Sequence, residues 1–291
     1  MASARPMKAM TLRLKSPAKI NLFLNVLKKR KDGFHEIETL FERISVCDEI
    51  ILRPVKSGIH VESDSREIPK GPRNLAWRAA KLLKDTFHIR EGVHITIHKK
   101  IPVSAGLGGG SSNAATVLLG LNKLWKLGLS KKELVKLGAR LGSDVPFFIS
   151  ETSFCLGYGR GEILTKINTR GVKFWHVVVK PPFGISTKEA YKAFSKLGLT
   201  LPWADVKILV RSLRKGQAGV VSKGLLNSLD AGIGQITAIK QALLAQGALG
   251  ALMSGSGSAV FGIYKNCKAA LMAARGLRRN RGWQVFVAST F

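Results

Sequence analysis

Residues 101–113 constrain the fold of this chain more than any other stretch. Four glycines lie within positions 106–110 and are followed by two serines and an asparagine. Glycine permits positive φ and a close approach of the backbone to a ligand. Residues 93–98 alternate apolar and polar side chains as a half-buried strand does, and apolar residues recur at helical spacing after the loop. The pattern predicts a strand, a glycine loop and a helix that starts at Ser111 or Ser112.

The start of this helix is expected to bind an anion, above all a phosphate, because its first N–H groups have no partner within the helix. The loop is not a Walker A motif, since no Gly-Lys-Ser/Thr follows the glycines. It also departs from the dinucleotide-binding pattern, because Ser111 stands where the third glycine belongs. A flexible surface turn is the alternative, but such a turn needs neither a serine cap nor an amphipathic helix.

Composition sets outer limits on the class of protein. With 291 residues and 45% hydrophobic content, the chain can form two modest domains or one large one. No apolar run reaches the roughly 18 residues of a membrane span. The three cysteines, Cys47, Cys155 and Cys267, have neither metal-site spacing nor an even number for disulfides. We therefore expect reduced thiols and a cytoplasmic protein.

The formal net charge of +29 could attract nucleic acid, an anionic membrane or a phosphorylated small molecule. The basic residues are scattered along the chain, and aromatic residues do not alternate with them as in stacking platforms for nucleic acid. Charge alone does not decide between these ligands. A basic nucleic-acid-binding protein stays open as an alternative function.

Lys19 and Asn21 interrupt an apolar run near the N-terminus. They are two positions apart, so in a strand they lie on the same side. A partly buried lysine is costly without an anionic partner, which would point to a ligand. An exposed lysine at the end of a strand is the alternative.

Asp144 lies in the sequence Gly-Ser-Asp-Val-Pro-Phe-Phe, where Pro146 suits the first turn of a helix. By itself this carboxylate is as well explained by a helix cap. Together with a phosphate loop and Lys19, it becomes a candidate acceptor for the proton of a substrate hydroxyl.

Residues 253–262 form a second glycine-rich loop, in which three serines alternate with Gly255 and Gly257. The loop lies between a helical pattern at 236–249 and an apolar strand. A tight turn would explain the glycines alone. The added serines favour a loop that faces a ligand.

The remaining pattern mixes strands and helices along the whole chain and predicts an α+β fold. The predicted elements are strands over 11–55 with a turn at 31–33, a helix over 74–84 capped by Asn74, a helix over 131–141, a strand over 173–180 and a last strand over 284–288.

These motifs, in this order and over nearly the full length, resemble the superfamily of galactokinase, homoserine kinase, mevalonate kinase and phosphomevalonate kinase. The glycine loop is the mark of the superfamily. Residues 17–22 and 33–37 (Gly-Phe-His-Glu-Ile) narrow the resemblance to the branch that phosphorylates 4-diphosphocytidyl-2-C-methyl-D-erythritol in the non-mevalonate isoprenoid pathway. A sibling kinase for homoserine or a mevalonate-type acid is the nearer alternative, but it should lack the motif around His35.

The resemblance implies a two-domain α+β fold. Residues 1–160 would form an ATP-binding domain of a type shared with a ribosomal protein, and residues 161–291 a ferredoxin-like, substrate-binding domain. The expected co-substrate is ATP, and Mg²⁺ is expected from phosphoryl-transfer chemistry. The expected partner is the cytidyl small molecule, without nucleic acid or membrane, and the expected assembly is a monomer or weak homodimer.

The resemblance also implies roles for individual residues. Asp144 would take the proton of the substrate 2-hydroxyl, and Lys19 would orient that hydroxyl and hold Asp144 ionised. The implied ATP-binding residues, of which the first two lie near the adenine, are Asn74, Lys99, Pro102, Ala105, Gly106, Leu107, Gly108, Gly109, Gly110, Ser111 and Ser112. The implied substrate-binding residues are Asn21, Phe34, His35, Phe183, Gly255, Ser256 and Gly257.

In this scheme His35 reads the edge of the cytosine, and the ring of Phe34 or Phe183 stacks nearby. The family often has tyrosine at position 34, so a hydroxyl contact would be lost here while the aromatic face remains. No second carboxylate is evident as a magnesium ligand, and Asp144 and Ser111 are the candidates.

Overall fold

The computed structural model describes residues 10–169, 171–197, 205–230 and 234–291. The strands in these ranges are β1 Leu12–Lys29, β2 His35–Val55, β3 Ile59–Ser63, β4 Gly92–His98, β5 Phe154–Tyr158, β6 Ile163–Lys166, β7 Trp175–Lys180, β8 Leu226–Asn227, β9 Gly250–Met253, β10 Val260–Tyr264 and β11 Gln284–Ser289. The helices are α1 Leu75–Phe87, α2 Gly109–Leu124, α3 Lys131–Ala139, α4 Val145–Ser150, α5 Thr187–Leu197, α6 Val206–Arg214, α7 Ala218–Lys223, α8 Gly234–Ala245 and α9 Cys267–Leu277.

Most of the predicted elements are confirmed. The region 11–55 forms the long strands β1 and β2, and Gly33, with φ of 85°, lies in the turn between them. Asn74 caps α1 as expected, because its side-chain oxygen accepts a hydrogen bond from the N–H of Ala76 at 2.8 Å. The mixed α+β class is also confirmed.

Two predicted helix boundaries are wrong. Helix α2 begins at Gly109 rather than at Ser111 or Ser112, because the positive φ values of the loop end at Gly108. Helix α8 ends at Ala245, and Gly247, with φ of 83°, follows its end, so residues 246–249, which the sequence pattern gave to the helix, form the connection to β9.

The chain packs into two compact units that both draw on several segments. The first unit comprises Met1–Ser16, Asp48–Lys99 and Gly110–Ser150; the second comprises Pro17–Cys47, Lys100–Gly109 and Glu151–Phe291. The expected domain boundary near residue 160 stays a prediction. In the part of the chain that the structure describes, no helix is both long and apolar enough to span a membrane.

In the first unit, β4 pairs in parallel with β3 and antiparallel with the second half of β2. Helix α2 packs closely onto this layer at Gly120. A Cβ at that position would lie 2.5 Å from Cδ1 of Leu52 and 2.6 Å from Cδ1 of Leu14, so any larger residue would have to displace these two side chains. The packing fixes α2, and with it the turn that carries Gly110 and Ser111.

In the second unit, the strand order β11-β7-β10-β9 forms an antiparallel sheet. The first half of β2 pairs with β5, β5 pairs with β6, and β1 pairs in parallel with β8 at Phe23 and Leu24. Apolar side chains such as Ile20, Leu22 and Phe261 are fully buried in its core. Along β1, the polar residues Lys19 and Asn21 alternate with Ile20 and Leu22. Both polar residues therefore lie within a strand that the core holds in place.

Candidate functional site

Lys19 and Asn21 are almost completely buried, with 4% and 2% of their surface exposed. The ammonium of Lys19 donates a hydrogen bond to Oδ1 of Asn21 at 2.6 Å, as the period of a strand predicts for side chains two positions apart. The alternative of a solvent-exposed lysine at a strand end is therefore wrong. A buried ammonium held in this way is suited to act on an anionic or hydroxylic ligand.

The first glycine loop is tied directly to this strand. The N–H of Lys19 donates to the carbonyl of Leu107 at 3.0 Å. Gly106 has φ of 74°, and a Cβ there would overlap the carbonyl oxygen of Ser254. The hydroxyl of Ser254 in turn donates to the carbonyl of Gly106 at 3.0 Å. Gly106 is thus required both for its backbone conformation and for the close approach of the two glycine loops.

The second glycine loop lies against the lysine. A Cβ on Gly255 would be 3.1 Å from Nζ of Lys19 and 3.3 Å from Oδ1 of Asn21, and Gly255 has φ of 56°. Asn227, which the sequence gave no reason to select, holds this loop from the other side: its amide donates to the carbonyls of Met253 and Gly255, both at 2.8 Å. The second unit therefore brings together the lysine strand and both glycine loops.

Phe183 belongs to the loop at 181–187, which the resemblance places on the substrate side. Its carbonyl accepts a hydrogen bond from the hydroxyl of Ser258 at 2.6 Å, and the hydroxyls of Thr187 and Ser256 lie 3.1 Å apart. A Cβ on Gly257 would lie 3.1 Å from Cδ1 of Ile185. The loop at 181–187 is thus packed on the second glycine loop, and the assignment of both loops to substrate binding stays a prediction.

His35 stacks on Tyr191 of α5, with ring centroids 5.0 Å apart and 27° between the planes. Burial and the charge of Lys29 lower the pKa of His35 below its ordinary value of 6.5, so the imidazole is neutral at neutral pH. A neutral imidazole offers one hydrogen-bond donor and one acceptor. Sequence reasoning expected the ring of Phe34 or Phe183 near the base that His35 contacts, and it did not select Tyr191, the ring on which His35 stacks.

Phe34 is 53% exposed. The guanidinium of Arg160, in the turn between β5 and β6, lies 4.9 Å from its ring centroid. The carboxylate of Glu36 accepts from the N–H of Gly159 at 3.0 Å and so fixes this turn beside the start of β2. The aromatic face of Phe34 is thereby held at the surface next to His35 in the chain.

The two serines that follow the first glycine loop have different surroundings. Ser112 is fully buried in α2, and its hydroxyl is 2.8 Å from that of Ser16. The amide of Asn113 donates to the Ser16 hydroxyl and to the carboxylate of Asp48, both at 2.9 Å. Ser111 is only partly buried. Ser112 therefore holds the first turn of α2 against Ser16 of β1, and both residues belong to the first unit.

The two residues expected near the adenine have their polar groups engaged. The ammonium of Lys99 pairs with the buried carboxylate of Asp48. The amide of Asn74 donates to the carbonyl of Pro69 at 2.7 Å in addition to capping α1. Their contact with the base stays a prediction.

Asp144 is partly buried and directly precedes α4. Helix α4 packs tightly on α3, because a Cβ on Gly138 would lie 2.5 Å from Cδ1 of Ile149. A Cβ on Gly142 would lie 3.9 Å from the hydroxyl of Ser111, so the first unit brings the Asp144 turn near the start of α2. Lys19 belongs to the other unit.

No group of three His, Cys, Asp or Glu side chains able to hold a metal ion occurs within the described ranges. Mg²⁺ commonly binds through one or two carboxylates together with substrate phosphates. The assignment of Asp144 and Ser111 as ligands of such a metal stays a prediction.

Two family models match the chain: the GHMP kinases N terminal domain over residues 74–152 and the GHMP kinases C terminal domain over residues 209–281. The chain belongs to the GHMP kinase family. This GHMP kinase is 43% identical to the 4-diphosphocytidyl-2-C-methyl-D-erythritol kinase of Geobacillus kaustophilus over 275 residues. The matched stretch covers 92% of this chain and 93% of the relative. It is 41% identical to the kinase of the same name from Acetivibrio thermocellus, over 96% and 99% of the two chains.

Solved structures give the same result for this GHMP kinase. The crystal structure of a 4-(cytidine 5'-diphospho)-2C-methyl-D-erythritol kinase superposes with a TM-score of 0.82 at 33% identity and covers 96% of this chain and 98% of that one. A mevalonate kinase from L. major shares the fold, with a TM-score of 0.77 at 17% identity. The predicted class, an ATP-dependent small-molecule kinase that phosphorylates an alcohol, is confirmed, and the nucleic-acid-binding alternative is not favoured.

Proposed function

We propose that this GHMP kinase transfers the γ-phosphoryl group of ATP to the 2-hydroxyl of 4-diphosphocytidyl-2-C-methyl-D-erythritol. The observation that carries the proposal is the identity of 41–43% to two kinases named for this substrate, over more than nine-tenths of the chain. The motif at 33–37, with the stacked pair of His35 and Tyr191, supports a site for a nucleobase. Homoserine and mevalonate-type acids contain no nucleobase, so a kinase for either of them does not need such a site.

In the proposed reaction, Asp144 accepts the proton of the 2-hydroxyl as that oxygen forms its bond to the γ-phosphorus. The bond from phosphorus to the bridging oxygen breaks, and ADP leaves with the electron pair. Lys19 is proposed to orient the hydroxyl, a role supported by its buried and hydrogen-bonded ammonium.

The ATP phosphates are proposed to lie along the backbone of residues 106–112, where Gly106 and Gly108 have positive φ and Gly109 begins α2. When bound, Mg²⁺ would offset phosphate charge, with Asp144 and Ser111 as its candidate protein ligands. The loop would position the ATP phosphates and stabilise their negative charge. These two effects account for most of the rate enhancement in enzymatic phosphoryl transfer.

The decisive test is an assay of ADP formation with three alcohols at equal concentration. They are 4-diphosphocytidyl-2-C-methyl-D-erythritol (the cytidyl alcohol), homoserine and mevalonate. We expect turnover with the cytidyl alcohol alone. Turnover only with one of the two acids would replace the proposal with the sibling kinase. A salt-dependent DNA-binding measurement, with no turnover of any alcohol, would instead revive the nucleic-acid-binding alternative.

Replacing His35 by alanine is expected to raise KM for the cytidyl alcohol about tenfold, because one hydrogen bond to a buried base edge is lost. The value of kcat should change little, since His35 is not assigned to the transferred phosphoryl group. Steady-state kinetics at saturating ATP give both values. The matched control is His60→Ala, an exposed histidine of β3 in the first unit. An unchanged KM in the His35 variant would contradict the role in base recognition.

The lowered pKa of His35 predicts the pH dependence of substrate binding. A depressed pKa means that the imidazole becomes half charged only at a pH below 6.5. The midpoint of the rise in KM for the cytidyl alcohol on acidification should therefore lie below pH 6.5. A rise that already begins near pH 7.5, and is absent in His35→Ala, would show the opposite shift.

A further inference from the structure

Thr39 of β2 is a fully buried polar residue with no role in the proposed reaction. Its hydroxyl donates to the carbonyl of Phe23 at 2.7 Å, so its single proton is committed to the backbone. The oxygen of the same hydroxyl accepts a hydrogen bond from Nδ2 of Asn21 at 2.8 Å. Thr39 therefore faces Asn21 only as an acceptor.

This polarity decides which way the Asn21 amide points. The two ends of an asparagine amide have nearly the same shape and differ in being donor or acceptor. Because Thr39 accepts, the NH₂ group of Asn21 turns toward it and Oδ1 turns toward the ammonium of Lys19, 2.6 Å away. The reverse orientation would set an NH₂ group against an ammonium, and Oδ1 against a hydroxyl whose proton is already given to the carbonyl of Phe23.

We propose that Thr39 is a positioning residue that acts on the reaction through Asn21, fixing its amide so that Lys19 keeps one placement. The inference rests on the proposed catalytic role of Lys19. The three side chains have at most 4% of their surface exposed, so bulk water does not replace a lost hydrogen bond in this chain. The close packing of Gly255 over Lys19 and Asn21 leaves little room for a second arrangement.

The test compares a substitution that removes the hydroxyl with one that keeps it. Thr39→Val keeps the shape and removes the acceptor, whereas Thr39→Ser keeps the hydroxyl. We expect kcat of the valine variant to fall about tenfold, a loss typical of one broken buried hydrogen bond, and KM for ATP to stay within about twofold. The serine variant should recover most of kcat. Wild-type kcat in Thr39→Val, or equal losses in both variants, would overturn the proposal.

A double-mutant cycle separates positioning from a general effect on packing. If Thr39 acts through Asn21, adding Thr39→Val to Asn21→Ala should cost no further kcat, because no amide remains to be oriented. Two independent losses that multiply would contradict the proposal. Thermal unfolding of all four proteins shows whether each is folded at the assay temperature, and Thr39→Ser provides the comparison if the valine variant is unstable.

A measurement without substrate keeps this inference distinct from the proposed function. The side-chain NH₂ of Asn21, assigned in the NMR spectrum by its loss in Asn21→Ala, should exchange slowly with solvent in the wild type and in Thr39→Ser. In Thr39→Val its exchange should be faster. If no cytidyl alcohol is turned over, the proposed function fails while this readout still decides the role of Thr39. Equal exchange in the wild type and the valine variant would refute that role.

Discussion

Replacing Asp144 by asparagine is expected to lower kcat by about 10²–10⁴-fold, the range that general acid–base catalysis contributes. The amide has the size of the carboxylate but cannot accept the hydroxyl proton. Helix α4 and its packing on Gly138 should persist, because they involve apolar contacts rather than the carboxylate. The dissociation constant for ATP should change little, as measured by calorimetric titration of the variant.

The control for Asp144 is Asp85→Asn, which removes an exposed carboxylate in α1 paired with Lys81 at 2.6 Å. Such surface pairs contribute at most about 1 kcal/mol to stability, so kcat should be unchanged in this variant. Near-wild-type turnover of Asp144→Asn would show that another group takes the proton. A large loss of ATP binding with intact kcat would make Asp144 a nucleotide ligand instead.

The elements that bear the site could be predicted because their signals are local. Lys19 and Asn21 differ by two positions in an apolar strand, and this spacing alone puts them on one side. The glycine loops are visible in composition, and Asn74 before an apolar helical pattern indicates a cap. Of the two wrong helix boundaries, the start of α2 was missed because glycine occurs both in the loop and in the first helical turn that follows it.

The residues that hold the site in place could not be predicted, because their contacts are between distant parts of the chain. Thr39 is 18 residues from Asn21, and Asn227 is 26 residues from the carbonyl of Met253 that it binds. The resemblance placed Lys99 near the adenine, a role that stays a prediction, and no local signal indicated that its ammonium pairs with Asp48, 51 residues away. A local pattern does not show which buried donor meets which acceptor; that depends on strand pairing and packing.

Replacing Lys19 by methionine or alanine is expected to lower kcat by at least about 10²-fold, as the loss of one preorganised donor to a developing charge does in other enzymes. Methionine preserves the apolar stem in a position that is 4% exposed, so its fold should be close to that of the wild type. KM for ATP should change little, because the ammonium is assigned to the acceptor hydroxyl.

The matched control for this buried lysine is Lys81→Met, since Lys81 lies on the surface of α1 and its removal leaves the second unit untouched.

Comparison with Asn21→Ala then separates the charge of the Lys19 ammonium from its placement by Asn21. That variant keeps the charge but removes the acceptor 2.6 Å away, so its kcat should fall between those of the wild type and Lys19→Met. If Lys19→Met retained kcat/KM for the cytidyl alcohol, the burial of Lys19 between two glycine loops would serve stability alone. An increase in KM for ATP with unchanged kcat would move Lys19 from the hydroxyl to the phosphates.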